Sequence, residues 1–121
     1  PDLTWQAVGF RVAMTVSNTP TWNGRAGLVA EYLFENSALD TSGSNNHGNI
    51  IGARSGSDRF GTNTSLTFDG DDVVIMQKTG PMGVDQRSVS FWFKTRSKEI
   101  QRGLVYWGNL NSTFRGSYIR Y

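Results

Sequence analysis

The sequence has no cysteine and a single histidine, His47. The first absence excludes a disulfide framework, a thiolate nucleophile and a Cys-based zinc site. The second excludes a His-rich metal centre and leaves room for at most one Ser-His-Asp constellation. Glutamate is scarce too: Glu31, Glu35 and Glu99 are all there is. No apolar run approaches about 18 residues, which excludes a membrane-spanning helix and gives no reason to expect a membrane partner. No apolar 3.6 period survives over about 11 residues, so amphipathic helices are not expected either. What is present points to turns and strands: 14 glycines and 12% aromatic residues in 121, room for one domain of ordinary size.

Charge is uneven along the chain. Residues 1–30 carry a net +1, residues 31–86 a net −5 from eight acids and three bases, and residues 87–121 a net +6 from seven bases and Glu99. An acidic middle and a basic end imply two distinct surfaces. The chain opens at Pro1 without an initiator Met, a basic n-region or an apolar h-region, and it closes on what reads as a strand in progress. Both ends are expected to be cuts through a longer protein, leaving unpaired sheet edges and a route to self-association.

Alternation supplies the elements. Val8, Phe10, Val12 and Met14 recur at period two, the mark of a strand. Residues 15–26 are rich in Ser, Thr, Asn and Pro and read as a linker. From 27 to 35, Leu28, Ala30, Tyr32 and Phe34 share one face, and Val29, Glu31, Leu33 and Glu35 the other. A polar loop over 40–48, a short strand over 49–54 and another loop over 55–64 follow. Leu66 and Phe68 begin a strand that Asp69-Gly70-Asp71-Asp72 breaks as a tight turn, before Val73-Val74-Ile75-Met76. Residues 88–95 place Val89, Phe91 and Phe93 inward and Ser90, Trp92 and Lys94 outward. Residues 104–107 form a further strand, and 117–121 start another. Short strands separated by Gly-rich turns specify an all-β sandwich or jelly roll.

Four phrases in order carry a resemblance. They are Gly27-Leu28-Val29-Ala30-Glu31-Tyr32-Leu33-Phe34, the Asp40-Thr41-Ser42-Gly43-Ser44-Asn45-Asn46-His47-Gly48 loop, Asp58-Arg59-Phe60-Gly61 with Ser65-Leu66-Thr67-Phe68-Asp69-Gly70, and Ser88-Val89-Ser90-Phe91-Trp92-Phe93-Lys94. Together they resemble the LamG-like, concanavalin A-like jelly-roll domain of many secreted bacterial proteins. The likeness spans about residues 27–121 and implies an antiparallel jelly-roll β-sandwich, incomplete at its C-terminus. It also implies an extracellular, periplasmic or cell-surface location. Trp5-Gln6-Ala7-Val8-Gly9-Phe10-Arg11-Val12-Ala13 resembles instead the closing strand of a formylglycine-generating-enzyme, or sulfatase-modifying-factor, domain. The expected division is therefore a tail strand over 1–14, a linker over 15–26 and the jelly roll from 27 onward, with Phe34, Phe68 and Phe91 meeting in one interior.

Three groups of residues are candidate sites. Asp40, Asp69, Asp71 and Asp72 are expected to approach one another at a rim of the sandwich. There a structural Ca²⁺ would relieve their repulsion, and the resemblance implies such an ion, with Asp40, Asp69 and Asp71 as ligands. The competing reading is that these side chains cap turns through Asx hydrogen bonds; neither loop has EF-hand spacing. Glu31 and Glu35 share a strand face, but four residues at about 3.3 Å rise set their Cα atoms roughly 13 Å apart. Glycoside hydrolysis requires carboxyls about 5.5 Å apart for retention or about 6.5–9.5 Å for inversion, so no enzyme is expected. His47 reads as an exposed loop residue, with a ligand contact or a pH-sensitive role as the alternative.

The third group is the aromatic and basic end. Trp92, Arg96, Tyr106, Trp107 and Arg115 lead a set in which rings interleave with Lys and Arg. Rings stack on sugar faces and Arg grips sulfate or carboxylate in bidentate fashion, so a sulfated or uronic-acid glycan fits both. Single-stranded nucleic acid satisfies the same chemistry but is disfavoured as a partner. The plainer alternative is that half the rings fill the core and the bases form a solvated face. Asn63-Thr64-Ser65 and Asn111-Ser112-Thr113 fit the N-glycosylation pattern, incidental in a bacterial protein. The expected function is a non-catalytic recognition or adhesion module of a larger secreted protein, binding carbohydrate or a neighbouring protein domain. A structural spacer beside a sulfatase-modifying-type enzyme is the alternative, and a glycoside hydrolase fragment comes third.

Overall fold

The computed structural model describes residues 5–14, 25–80, 86–96, 103–109 and 115–120, with side chains over 25–80, 86–96 and 103–106. Within them lie nine strands and no helix: β1 (Trp5–Met14), β2 (Leu28–Tyr32), β3 (Gly48–Ile51), β4 (Arg54–Gly56), β5 (Ser65–Phe68), β6 (Val73–Met76), β7 (Arg87–Thr95), β8 (Gly103–Asn109) and β9 (Arg115–Arg120). All pairings are antiparallel. The described residues are all-strand, consistent with the all-β class expected from sequence.

Strand β1 lies at the centre of the main sheet. Along one edge it pairs with β7 from Trp5 opposite Thr95 to Met14 opposite Arg87. Its other edge is divided. Phe10 to Ala13 pair with β2, Trp5 to Ala7 pair with β5, and β4 flanks β5. The segment read from sequence as a tail strand over 1–14 thus pairs, over Trp5–Met14, with β2, β5 and β7. A ten-residue strand has two rows of backbone N–H and C=O groups to satisfy, and here both rows find partners. The register slips between Val8 and Phe10, a bulge at Gly9 that the alternation does not reveal. Most of the expected linker lies outside the described residues.

The core sits on one face of this sheet. Ala30, Tyr32, Phe34, Ala38, Leu66 and Phe68 are buried, and Val29, Ile50, Ala53, Val74, Met76 and Val89 pack against them. Strands β3 and β6 pair as a separate ribbon, with Ile50 opposite Val74 and Gly48 opposite Met76. Its Ile50, Val74 and Met76 face the core, while Ile51, Val73 and Ile75 alternate outward and are exposed. Gly48 is required at that approach, because a Cβ there would lie 2.8 Å from Val74 and 2.9 Å from Ala38. Strands β8 and β9 pair with each other.

Two expectations about the core change in detail. Strand β2 stops at Tyr32, and Phe34 takes a left-handed conformation at φ 56°. Its ring still joins the core, stacked 6.2 Å from Tyr32. Phe34 therefore reaches the interior through a turn and not along a strand. Phe68 is buried beside it, but Phe91 is only half-buried and pairs with Phe93, ring centres 5.9 Å apart, outside the buried cluster. Val89 makes the β7 contribution instead, and Phe93, expected inward, is 40% exposed.

Candidate functional site

The acidic loop after β2 is organised around Asp40, which is 8% exposed. Its Oδ1 accepts the N–H groups of Glu31 at 3.0 Å and Ser42 at 2.9 Å. Its Oδ2 accepts the Ser42 hydroxyl and the Asn46 N–H, each at 2.9 Å. Burial by itself pushes this carboxyl up. The N–H groups of Asn46, Glu31 and Ser42 and the Ser42 hydroxyl outweigh burial and lower it to about 2. A carboxylate has about four lone-pair directions, and four donors fill them. Asp40 therefore performs the Asx role weighed for it in the sequence.

Neighbouring groups lock the same loop. Asp40 N–H donates to His47 Nδ1 at 3.1 Å, so His47 is half-buried and engaged where an exposed loop residue was expected. Asn46 spans the backbone of Lys78, accepting its N–H at 2.6 Å and donating to its carbonyl at 3.2 Å. The Lys78 ammonium donates to the Ser44 carbonyl, and the Tyr32 hydroxyl to the Asn46 carbonyl. Burial raises the Tyr32 hydroxyl well above its ordinary range, and the Asp40 charge adds to the effect.

Glu31, once a catalytic candidate, is buried and committed. Its Oε2 accepts from Arg25 Nη1 at 2.9 Å and from the Thr41 hydroxyl at 2.7 Å. Glu35 is exposed beyond the end of β2. The two therefore do not present themselves together on a strand face.

The Asp69–Asp72 turn differs from the Asp40 loop. Carboxylate oxygens of Asp69, Asp71 and Asp72 lie within 4.8 Å of one another, and Asp40 is not part of the group. The Asp69 N–H donates to Asp72 Oδ2 at 2.9 Å. The charge of Asp72 raises the Asp69 carboxyl, with burial and Asp71 adding to it. Gly52, at φ 82°, backs this turn, and a Cβ there would fall 1.8 Å from Asp72 Oδ1. Three clustered carboxylates are the kind of all-oxygen donor that Ca²⁺ takes, so among the described residues Asp69, Asp71 and Asp72 are those that could hold such an ion.

Among the aromatic and basic candidates, Trp92 is 65% exposed on β7 and Arg96 is exposed just past its end. Tyr106 is exposed on β8. Trp107 and Arg115 occupy β8 and β9, paired with Ser117 and Asn109, and their side chains lie outside the described residues. The ring of Trp92 meets Arg59, a residue that strand alternation does not mark. The Arg59 guanidinium carbon lies 4.8 Å from the Trp92 ring centre and 4.5 Å from that of Phe60, which is 74% exposed. Asp58 builds the loop that holds them. Its Oδ1 accepts the N–H groups of Phe60 at 2.8 Å and Thr62 at 2.9 Å, and its Oδ2 accepts the Thr64 hydroxyl at 2.9 Å. Desolvation opposes ionisation of Asp58, but the Thr62, Thr64 and Phe60 donors outweigh it and lower the carboxyl to about 2. The signal in the sequence is an Arg-aromatic pair inside an Asp-x-x-Gly-Thr turn.

No family model, curated relative or solved structure matches this chain.

Proposed function

We propose that the chain is a non-catalytic recognition module of jelly-roll β-sandwich type, which binds carbohydrate on the solvent-facing side of its main sheet. The observation that carries this reading is Trp92, a large ring left 65% exposed in a strand whose other large rings are more covered. An exposed flat indole is a ready contact surface, and it fits the apolar face of a sugar ring. Commitment of Glu31 to Arg25 and Thr41 supports recognition over hydrolysis. A structural Ca²⁺ at Asp69, Asp71 and Asp72 fits the same reading, as does an extracellular, periplasmic or cell-surface setting in a larger protein, which rests on the LamG-like resemblance.

A specific observation favours the protein-binding alternative. Ile51, Val73 and Ile75 form an exposed apolar face on the β3–β6 ribbon, suited to a neighbouring protein domain. A glycan array probed with the 121-residue chain separates the two. Binding to at least one neutral or acidic polysaccharide, lost in Trp92→Ala, is the expected result. An array blank throughout refutes the carbohydrate reading.

A further inference from the structure

We propose that Arg59, Phe60 and Trp92 form a subsite for acidic sugars, a place where the carboxylate or sulfate of a glycan is gripped. This rests on the carbohydrate reading and names its ligand class. The guanidinium lies against two exposed rings, 4.5 Å from Phe60 and 4.8 Å from Trp92. An arginine stacked on ring faces keeps its N–H edge free for a bidentate oxyanion, and its planar fork loses little freedom on binding. Among the described residues Arg59 has no ion pair and no hydrogen bond. The carboxylate next to it in sequence, Asp58, is turned to Phe60, Thr62 and Thr64. The loop thus holds a cation in place without neutralising it.

The sheet continues the same charge. Gln6 pairs with Lys94 on one side and with Thr67 on the other, and Thr67 pairs with Arg54. Lys94 and Arg54 therefore occupy one row across the sheet, at about 4.8 Å per strand. Trp92 lies two residues from Lys94, on the same side of β7, and all three side chains are exposed. Oxyanions repeated along a polysaccharide would meet Arg59 first and the Lys94–Arg54 row beyond it, while sugar faces cover the rings. Nucleic acid is the weaker fit, because its affinity depends on many phosphate contacts and the described side chains of this face offer few cations.

The test is fluorescence titration of the 121-residue chain with polygalacturonate, dextran sulfate, neutral dextran and poly(U), for wild type, Arg59→Ala, Arg59→Lys and Trp92→Ala. Unchanged circular dichroism qualifies each variant. The expected result is binding to polygalacturonate or dextran sulfate, the two arms separating uronate from sulfate as the favoured group. Arg59→Ala should weaken that binding by about tenfold or more. Arg59→Lys should fail to restore it, because an ammonium neither stacks nor forks. Equal affinity of wild type and Arg59→Ala for acidic glycans overturns the subsite and leaves the carbohydrate reading standing. Binding to neutral dextran alone does the same. Tighter, Arg59-dependent binding to poly(U) overturns the ligand class, and binding to none of the four overturns both the subsite and the reading beneath it.

Discussion

Replacing Asp40 by Asn is the most informative perturbation of the scaffold. The side chain keeps its shape, but one acceptor oxygen becomes an NH₂ group facing donors. Asp40 accepts from Glu31, Ser42 and Asn46, so at least one buried N–H or hydroxyl loses its partner. An unsatisfied buried donor costs about 1–3 kcal/mol. Linkage gives a second, independent figure. Lowering of the carboxyl from 3.8 to about 2, at roughly 1.4 kcal/mol per pKa unit, corresponds to about 2 kcal/mol. The sign follows from the depressed folded value. This contribution is complete above the unfolded pKa near 4 and disappears as pH falls through about 2. Urea unfolding followed by tryptophan fluorescence should show Asp40→Asn less stable than wild type by about 2 kcal/mol at pH 7, with the gap narrowing by pH 2. Taking the difference between the two proteins removes the shared effect of Asp58, which titrates in the same range. A gap below about 0.5 kcal/mol at pH 7, or one unchanged at pH 2, refutes the hydrogen-bonding account of this loop.

Leu66→Ala should cost about 2–4 kcal/mol in the same assay, because Leu66 is buried at the centre of a small core; a loss under 1 kcal/mol would place it elsewhere. Gly52→Ala should destabilise by more than about 1 kcal/mol, since φ 82° disfavours a side chain and the new Cβ meets Asp72; a neutral result would deny that approach. Calcium should raise the melting temperature of wild type and of Asp40→Asn but not of Asp69→Asn/Asp71→Asn; a wild-type curve indifferent to calcium and chelator rejects the ion.

Local pattern carried much of this fold. Strands β5, β6 and β7 and the outward placement of Trp92 followed from alternation, because one face of each strand is more covered than the other. The central position of β1 did not, since period two shows that a segment is extended but not which edges it will meet. The slip at Gly9 and the left-handed turn at Phe34 were hidden for a related reason, as both are local departures that leave the apolar composition unchanged. Asp40 was visible as a loop acid, and Asx chemistry was among its readings. Its distance from the Asp69 turn depends on long-range packing. The contact of Arg59 with Trp92 is not legible in the sequence, because the two are remote along the chain and meet only through the packing of the β4–β5 loop against β7.

Affinity electrophoresis of the native chain through gels cast with single polysaccharides tests the central claim most directly. The account predicts that at least one polysaccharide retards the wild-type chain and that Trp92→Ala, with its far-UV spectrum intact, runs unretarded. Equal mobility of the two proteins in every gel would contradict it.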